Sequence, residues 1–167
     1  MQIDLTGGVS GANEEDKTKF WSFAEPIGKL DKPVIAAIDG DAIGQGLALP
    51  LTCDIRISTD TSHFGLPHIK KGGTLWDGGT QRLSRLVGRD KALEMILTGE
   101  IIDAQEAHRI GLINKVVRTK EVMEMLMNMA REIASKGPIA LRYTKEAIYK
   151  GMDLTLEQGL RLEADLY

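Results

Sequence analysis

The spacing of apolar residues changes several times along this chain, and each change predicts an element. "VIAAI" at 34–38 is an unbroken run of β-branched and small residues bounded by Pro33 and Gly40, which predicts a buried strand. "DIRIS" at 54–58 predicts a second. Between them, residues 44–52 predict a short helix that Pro50 kinks or ends, because proline has no N–H for an internal hydrogen bond. Residues 6–17, "TGGVSGANEEDK", are glycine-rich and acidic without a period, which reads as a mobile loop ahead of the amphipathic "FWSFAEPIGKL".

Downstream the period becomes helical. "GGTQRLSRLVG" and "RDKALEMILTG" are helices that each end at a glycine. In "DAQEAHRIG", Asp103 caps a helix, Glu106 closes a capping box and Gly111 ends it. "LINKVV" at 112–117 predicts a strand. Val122, Met125, Leu126, Met129 and Ile133 then mark the core stripe of a long helix that stops at Gly137, and Pro138 opens the next. A last helix starts near Thr155, with Gln158 completing another capping box. Strands followed by helices, with no repeat or linker, predict a single α/β domain over residues 1–167.

Composition narrows the function classes. Of 167 residues 43% are hydrophobic, and the net charge of −3 with only 5% aromatics lacks the basic stripe of a nucleic-acid surface. No apolar run approaches the ~20 residues of a membrane span, and "MQIDLTGG" lacks the pattern of a signal peptide. The single cysteine, Cys53, lies among apolar residues and reads as a small buried hydrophobe in a reducing compartment. The expectation is a cytoplasmic protein.

The glycines Gly40, Gly44 and Gly46 after the first strand stand in the wrong order for a dinucleotide-binding G-x-G-x-x-G, and no P-loop is present. "GGVSGA" fails the G-x-S-x-G elbow because Ser10 is followed directly by Gly11. His63, His68, His108 and Cys53 do not fall at zinc-ligand spacings, so no metal site is expected. What remains is a glycine turn feeding a helix, which presents backbone N–H groups to a developing negative charge.

In order, "KPVIAAIDGDAIGQG", "HFGLPHIKKGG", "LWDGGTQRLSRLVGRDKALEMILTGE" and "IDAQEAHRIGLINKVV" resemble the crotonase family, the enoyl-CoA hydratases and isomerases. The resemblance implies a crotonase-like ββα spiral of the α/β class. It also implies an acyl-CoA thioester as substrate, coenzyme A only as part of that substrate, and a homo-oligomer, a trimer or a hexamer. The oxyanion-hole amides become those of Ile3 and Gln45, and Asp4, Leu5, Gly44, Gly46 and Trp76 become substrate-binding positions. Trp76 either walls the acyl pocket or fills core.

The hydratases of that family use paired glutamates, and the matching positions here hold Ala48 and His68. Alanine carries no proton. His68 then serves as acid or base, or is a surface residue after proline. Asp77 in "LWDGG" either takes over proton transfer or forms a turn before Gly78 and Gly79. A hydrolase or ring-closing relative acting on cyclic acyl-CoA and a non-catalytic domain remain as alternatives. Members of the family carry strands before the oxyanion loop and helices beyond "LEADLY", so the resemblance implies a chain truncated at both ends.

Overall fold

The computed structural model describes residues 24–167. The predicted loop at 6–17 and the first part of the amphipathic segment lie outside the described residues, as do Ile3, Asp4 and Leu5. After the short α1 (Glu25–Gly28), the chain lays down β1 (Ile35–Ile38), β2 (Ala42–Ile43) and α2 (Gln45–Ala48), then β3 (Ile55–Thr59) and β4 (His63–Gly65). Helices α3 (Gly79–Val87) and α4 (Arg89–Thr98) follow, then β5 (Ile101–Asp103), α5 (Ala104–Arg109) and β6 (Lys115–Val117). The chain closes with α6 (Val122–Ala134), α7 (Pro138–Gly151) and α8 (Leu156–Leu166).

The first four strands alternate between two sheets. One has the order β1-β3-β6, all parallel, and the other β2-β4-β5, parallel then antiparallel. A strand for one sheet, a strand for the other and then a helix is the repeating unit of a ββα spiral. Both sheets feed one core. Ile38 of β1, Ala42 of β2, Phe64 of β4 and Ile102 of β5 pack with Leu47, Leu83 and Met95 from the helices.

Helix boundaries follow the chemistry at their ends. Pro50 ends α2 and opens a 3₁₀ turn, Pro50–Thr52, as its missing N–H requires. Thr155 and Gln158 form a complete capping box at α8. The box predicted at α5 is only half made. Asp103 accepts from the Glu106 N–H at 2.8 Å, but the Glu106 carboxylate pairs bidentately with Arg109 at 2.6 and 2.7 Å. A charge-assisted fork is stronger than one bond to a neutral backbone N–H.

Two further expectations need correction. β1 buries only Ile38, and its neighbour Ala37, on the opposite face of the strand, is exposed where a wholly buried strand was expected. β2, β4 and β5 carry no separate signal at two or three residues each, too short for a period to show. On α6 the stripe lies toward β1 and β3, yet only Val122 is fully buried and Met125, Leu126, Met129 and Ile133 are half-buried.

α7 and α8 pack on each other and contain no buried residue. Polar groups tie the pair to the spiral. Lys145 Nζ lies 2.8 Å from Asp54 Oδ2 and donates to the Lys32 carbonyl at 2.9 Å, while the same Asp54 oxygen accepts from the Val34 N–H at 2.6 Å. Both side chains of this ion pair are largely buried, 13% and 16% exposed. Removing one partner of such a pair strands the other charge. Lys145→Ala should therefore cost about 3 kcal/mol in urea unfolding, whereas Lys150→Ala, which breaks an exposed helical pair with Glu146, should leave the midpoint unchanged.

Candidate active site

The site starts from a backbone pairing. β2 and β4 run parallel with Ala42 opposite Phe64 and Ile43 opposite Gly65, so both strands deliver their C-terminal ends to the same place. Crevices beyond the carboxyl ends of parallel strands are where α/β folds commonly bind ligands. The pairing continues one residue further, where the Gly44 N–H donates to the Gly65 carbonyl at 2.8 Å. Gly65 is the partner that motif reading missed, although a glycine inside a strand pattern signals close backbone approach. A Cβ there would stand 2.7 Å from the Glu100 carbonyl oxygen.

Gly44 turns the chain from strand to helix at φ 62°, ψ −123°, a conformation that side-chain-bearing residues rarely adopt. Gln45 is the first residue of α2, and the first N–H groups of a helix have no acceptor within it. Among the described residues, no turn or loop hydrogen bond starts from the Gln45 N–H. Ala48, one helical turn on, is buried and contributes only a methyl group.

His68 sits in the 3₁₀ turn Pro67–Lys71 that follows β4. Its ring edge faces Gly44: a Cβ built on Gly44 would lie 3.6 Å from Cε1 and 3.8 Å from Nε2. Apart from chain neighbours, no other described group comes within 4 Å of that point. His68 Nδ1 is buried and has no hydrogen-bond partner among the described residues. The described residues thus bring Gly44, Gln45, Gly46 and His68 to one place.

Asp77 lies in the turn before α3. Its Oδ2 accepts from the Ala24 N–H at 3.4 Å, and its backbone carbonyl accepts from Arg82 Nη1 at 2.7 Å. It is a non-glycine residue with positive φ, 61°. Trp76 beside it is half-buried, and its carbonyl accepts from the Gly79 N–H at 3.4 Å. Cys53 is free and buried, and burial pushes its thiol pKa upward, which suppresses the reactive thiolate. Among the described residues no cluster of three His, Cys, Asp or Glu side chains could hold a metal ion, and no helix is long and apolar enough to cross a membrane.

A model of the enoyl-CoA hydratase/isomerase family matches residues 3–167. The chain belongs to that family. The α/β spiral is accordingly the crotonase fold, as the motif series implied. Over 138 residues the chain is 44% identical to a short-chain-enoyl-CoA hydratase of Clostridium acetobutylicum, a match covering 83% of this chain and 53% of that protein. It is 45% identical over 136 residues to a short-chain-enoyl-CoA hydratase of Clostridioides difficile, covering 81% and 87% of the two. A crystal structure of an enoyl-CoA hydratase from Bacillus anthracis superposes with a TM-score of 0.88 at 42% identity, over 94% of this chain and 62% of that one. The chain thus spans about half the length of the Clostridium acetobutylicum relative.

The backbone of Asp77 separates shape from chemistry. Asparagine tolerates the left-handed conformation and keeps an acceptor oxygen, so Asp77→Asn should unfold at the same urea concentration as the parent. Asp77→Val should lose about 2 kcal/mol, because a β-branched residue is strained at positive φ.

Proposed function

We propose that this member of the enoyl-CoA hydratase/isomerase family acts on an acyl-CoA thioester and stabilises the enolate that forms on its carbonyl oxygen. One observation supports the reading: the β2–β4 pairing brings the His68 ring edge over Gly44, the glycine that leads into α2, and among the described residues no turn or loop hydrogen bond starts from the Gln45 N–H that follows it. A fixed N–H donor at a developing oxyanion is worth roughly 10²–10³ in rate. Gln45 supplies one such donor and Ile3, from "QIDL", the second. Gly44, Gly46, Trp76, Asp4 and Leu5 line the acyl thioester, and coenzyme A takes part only as the carrier of the acyl group.

His68 is the polar side chain that meets the acyl group, and Asp77 is the second group available for proton exchange. Ala48 shapes the chemistry by what it lacks, since a methyl group neither activates water nor exchanges a proton. That favours, as a second reading, a relative that cleaves or closes a cyclic acyl-CoA without adding water across a double bond. Mass analysis of the products distinguishes water added to the acyl chain from coenzyme A released.

Turnover of crotonyl-CoA tests the main reading, with tight binding of the thioester in calorimetry as its companion. His68→Ala should lower kcat/KM by roughly 10²–10⁴, and Asp77→Asn should lower it with stability intact. Unchanged turnover of both variants would remove their roles, and absence of any acyl-CoA binding would leave a non-catalytic domain.

The same reading includes a cytoplasmic homo-oligomer, a trimer or a hexamer. It is supported by Ile139 and Ile148 on α7, Leu156 and Leu160 on α8 and Met152 between the two helices, which are 57–81% exposed and would be costly to leave in water. Light scattering should give a mass three or six times that of the 18.3 kDa chain. A monomer would overturn the assembly and leave the catalytic reading standing.

A further inference from the structure

The orphaned nitrogen of His68 restricts what that residue does in the site. A neutral imidazole carries one proton, and its other nitrogen is an acceptor. With the proton on Nδ1, a buried N–H would have no acceptor, and folded proteins seldom retain such an orphan. With the proton on Nε2, the buried atom is only an unfilled lone pair. The N–H then belongs to the ring edge that faces Gly44.

We propose that His68 is held as the Nε2–H tautomer and that, besides the proton exchange given above, this N–H sets specificity as a hydrogen-bond donor that selects acyl thioesters bearing a second carbonyl on the acyl chain. This rests on the acyl-CoA reading given above and deepens it. The choice of a carbonyl follows from the groups present. An Nε2–H is a donor alone, and a ketone oxygen is an acceptor alone, so the pair leaves nothing unsatisfied. A hydroxyl would add a donor of its own. Ala48, one turn along α2 from Gln45, offers it no side-chain acceptor.

The ring nitrogens can be read directly in the 167-residue chain labelled with ¹⁵N-histidine, with the His68 signals recognised by their loss in His68→Gln. A protonated Nε2 and a bare Nδ1 are expected, and a proton on Nδ1 overturns the proposal. Calorimetric titration with butyryl-CoA and acetoacetyl-CoA, which differ by the second carbonyl, reads the selectivity. The oxo thioester should bind about tenfold tighter to the parent chain, as one well-placed hydrogen bond allows. His68→Gln should keep most of the preference, because its side-chain amide N–H reaches a similar position, and His68→Phe should abolish it. Equal binding of the two thioesters to the parent, or a preference that survives in His68→Phe, overturns the proposal while leaving the acyl-CoA reading intact. Failure of both thioesters to bind overturns the two together.

Discussion

The hydrogen bond from the Gly44 N–H to the Gly65 carbonyl, 2.8 Å long, is the constraint on which the site depends. It extends the parallel β2–β4 ladder by one residue past the end of β2. Because both strands point the same way, their exits are side by side: one leads through Gly44 into α2, the other through Pro67 into the turn that carries His68. Had the pair been antiparallel, Gln45 and His68 would leave from opposite ends of the sheet. Gly44 serves both demands, since it reaches φ 62° and places no side chain between the amide and the imidazole.

A second principle governs the periphery. The spiral is held by a shared apolar core, whereas α7 and α8 meet it through polar contacts centred on Asp54 and Lys145. Asp54 also binds the Val34 N–H, so one carboxylate joins the entrance of β1, the entrance of β3 and the middle of α7. Tyr149 of α7 also faces this carboxylate, and burial together with Asp54 pushes its phenol pKa up to about 12. Arg56, on the same strand, is buried and donates to the Leu112 and Cys53 carbonyls, which ties β3 to the segment before β6. Its guanidinium pKa is held below the ordinary value chiefly by desolvation. Apolar packing thus shapes the spiral, while directional polar contacts decide where the terminal helices attach.

Elements whose signal is local were legible in the amino-acid order. Pro50, Thr155 with Gln158, and the α-helical spacing from Val122 to Ile133 each act through neighbours within a turn or two, so chain order and physical contact coincide. The capping box at Asp103 was half right, because Arg109 competes for Glu106 in a way that no capping rule includes. The strands of the second sheet were not legible. β2 spans only Ala42 and Ile43, and its identity as a strand comes from pairing with residues more than twenty positions away.

By itself, the sequence determined the class of the fold, the glycine turn between β2 and α2, and the family through its ordered motifs. Those features are carried by residue type and short spacing. Only the tertiary structure decided that Gly65 is the backbone partner of Gly44, that the His68 ring edge stands over that glycine with Nδ1 buried and without a partner among the described residues, and that Asp77 reaches the Ala24 N–H. The physical reason is that hydrogen-bond satisfaction and burial are properties of groups brought together from distant positions, and no spacing within a segment encodes which of them meet.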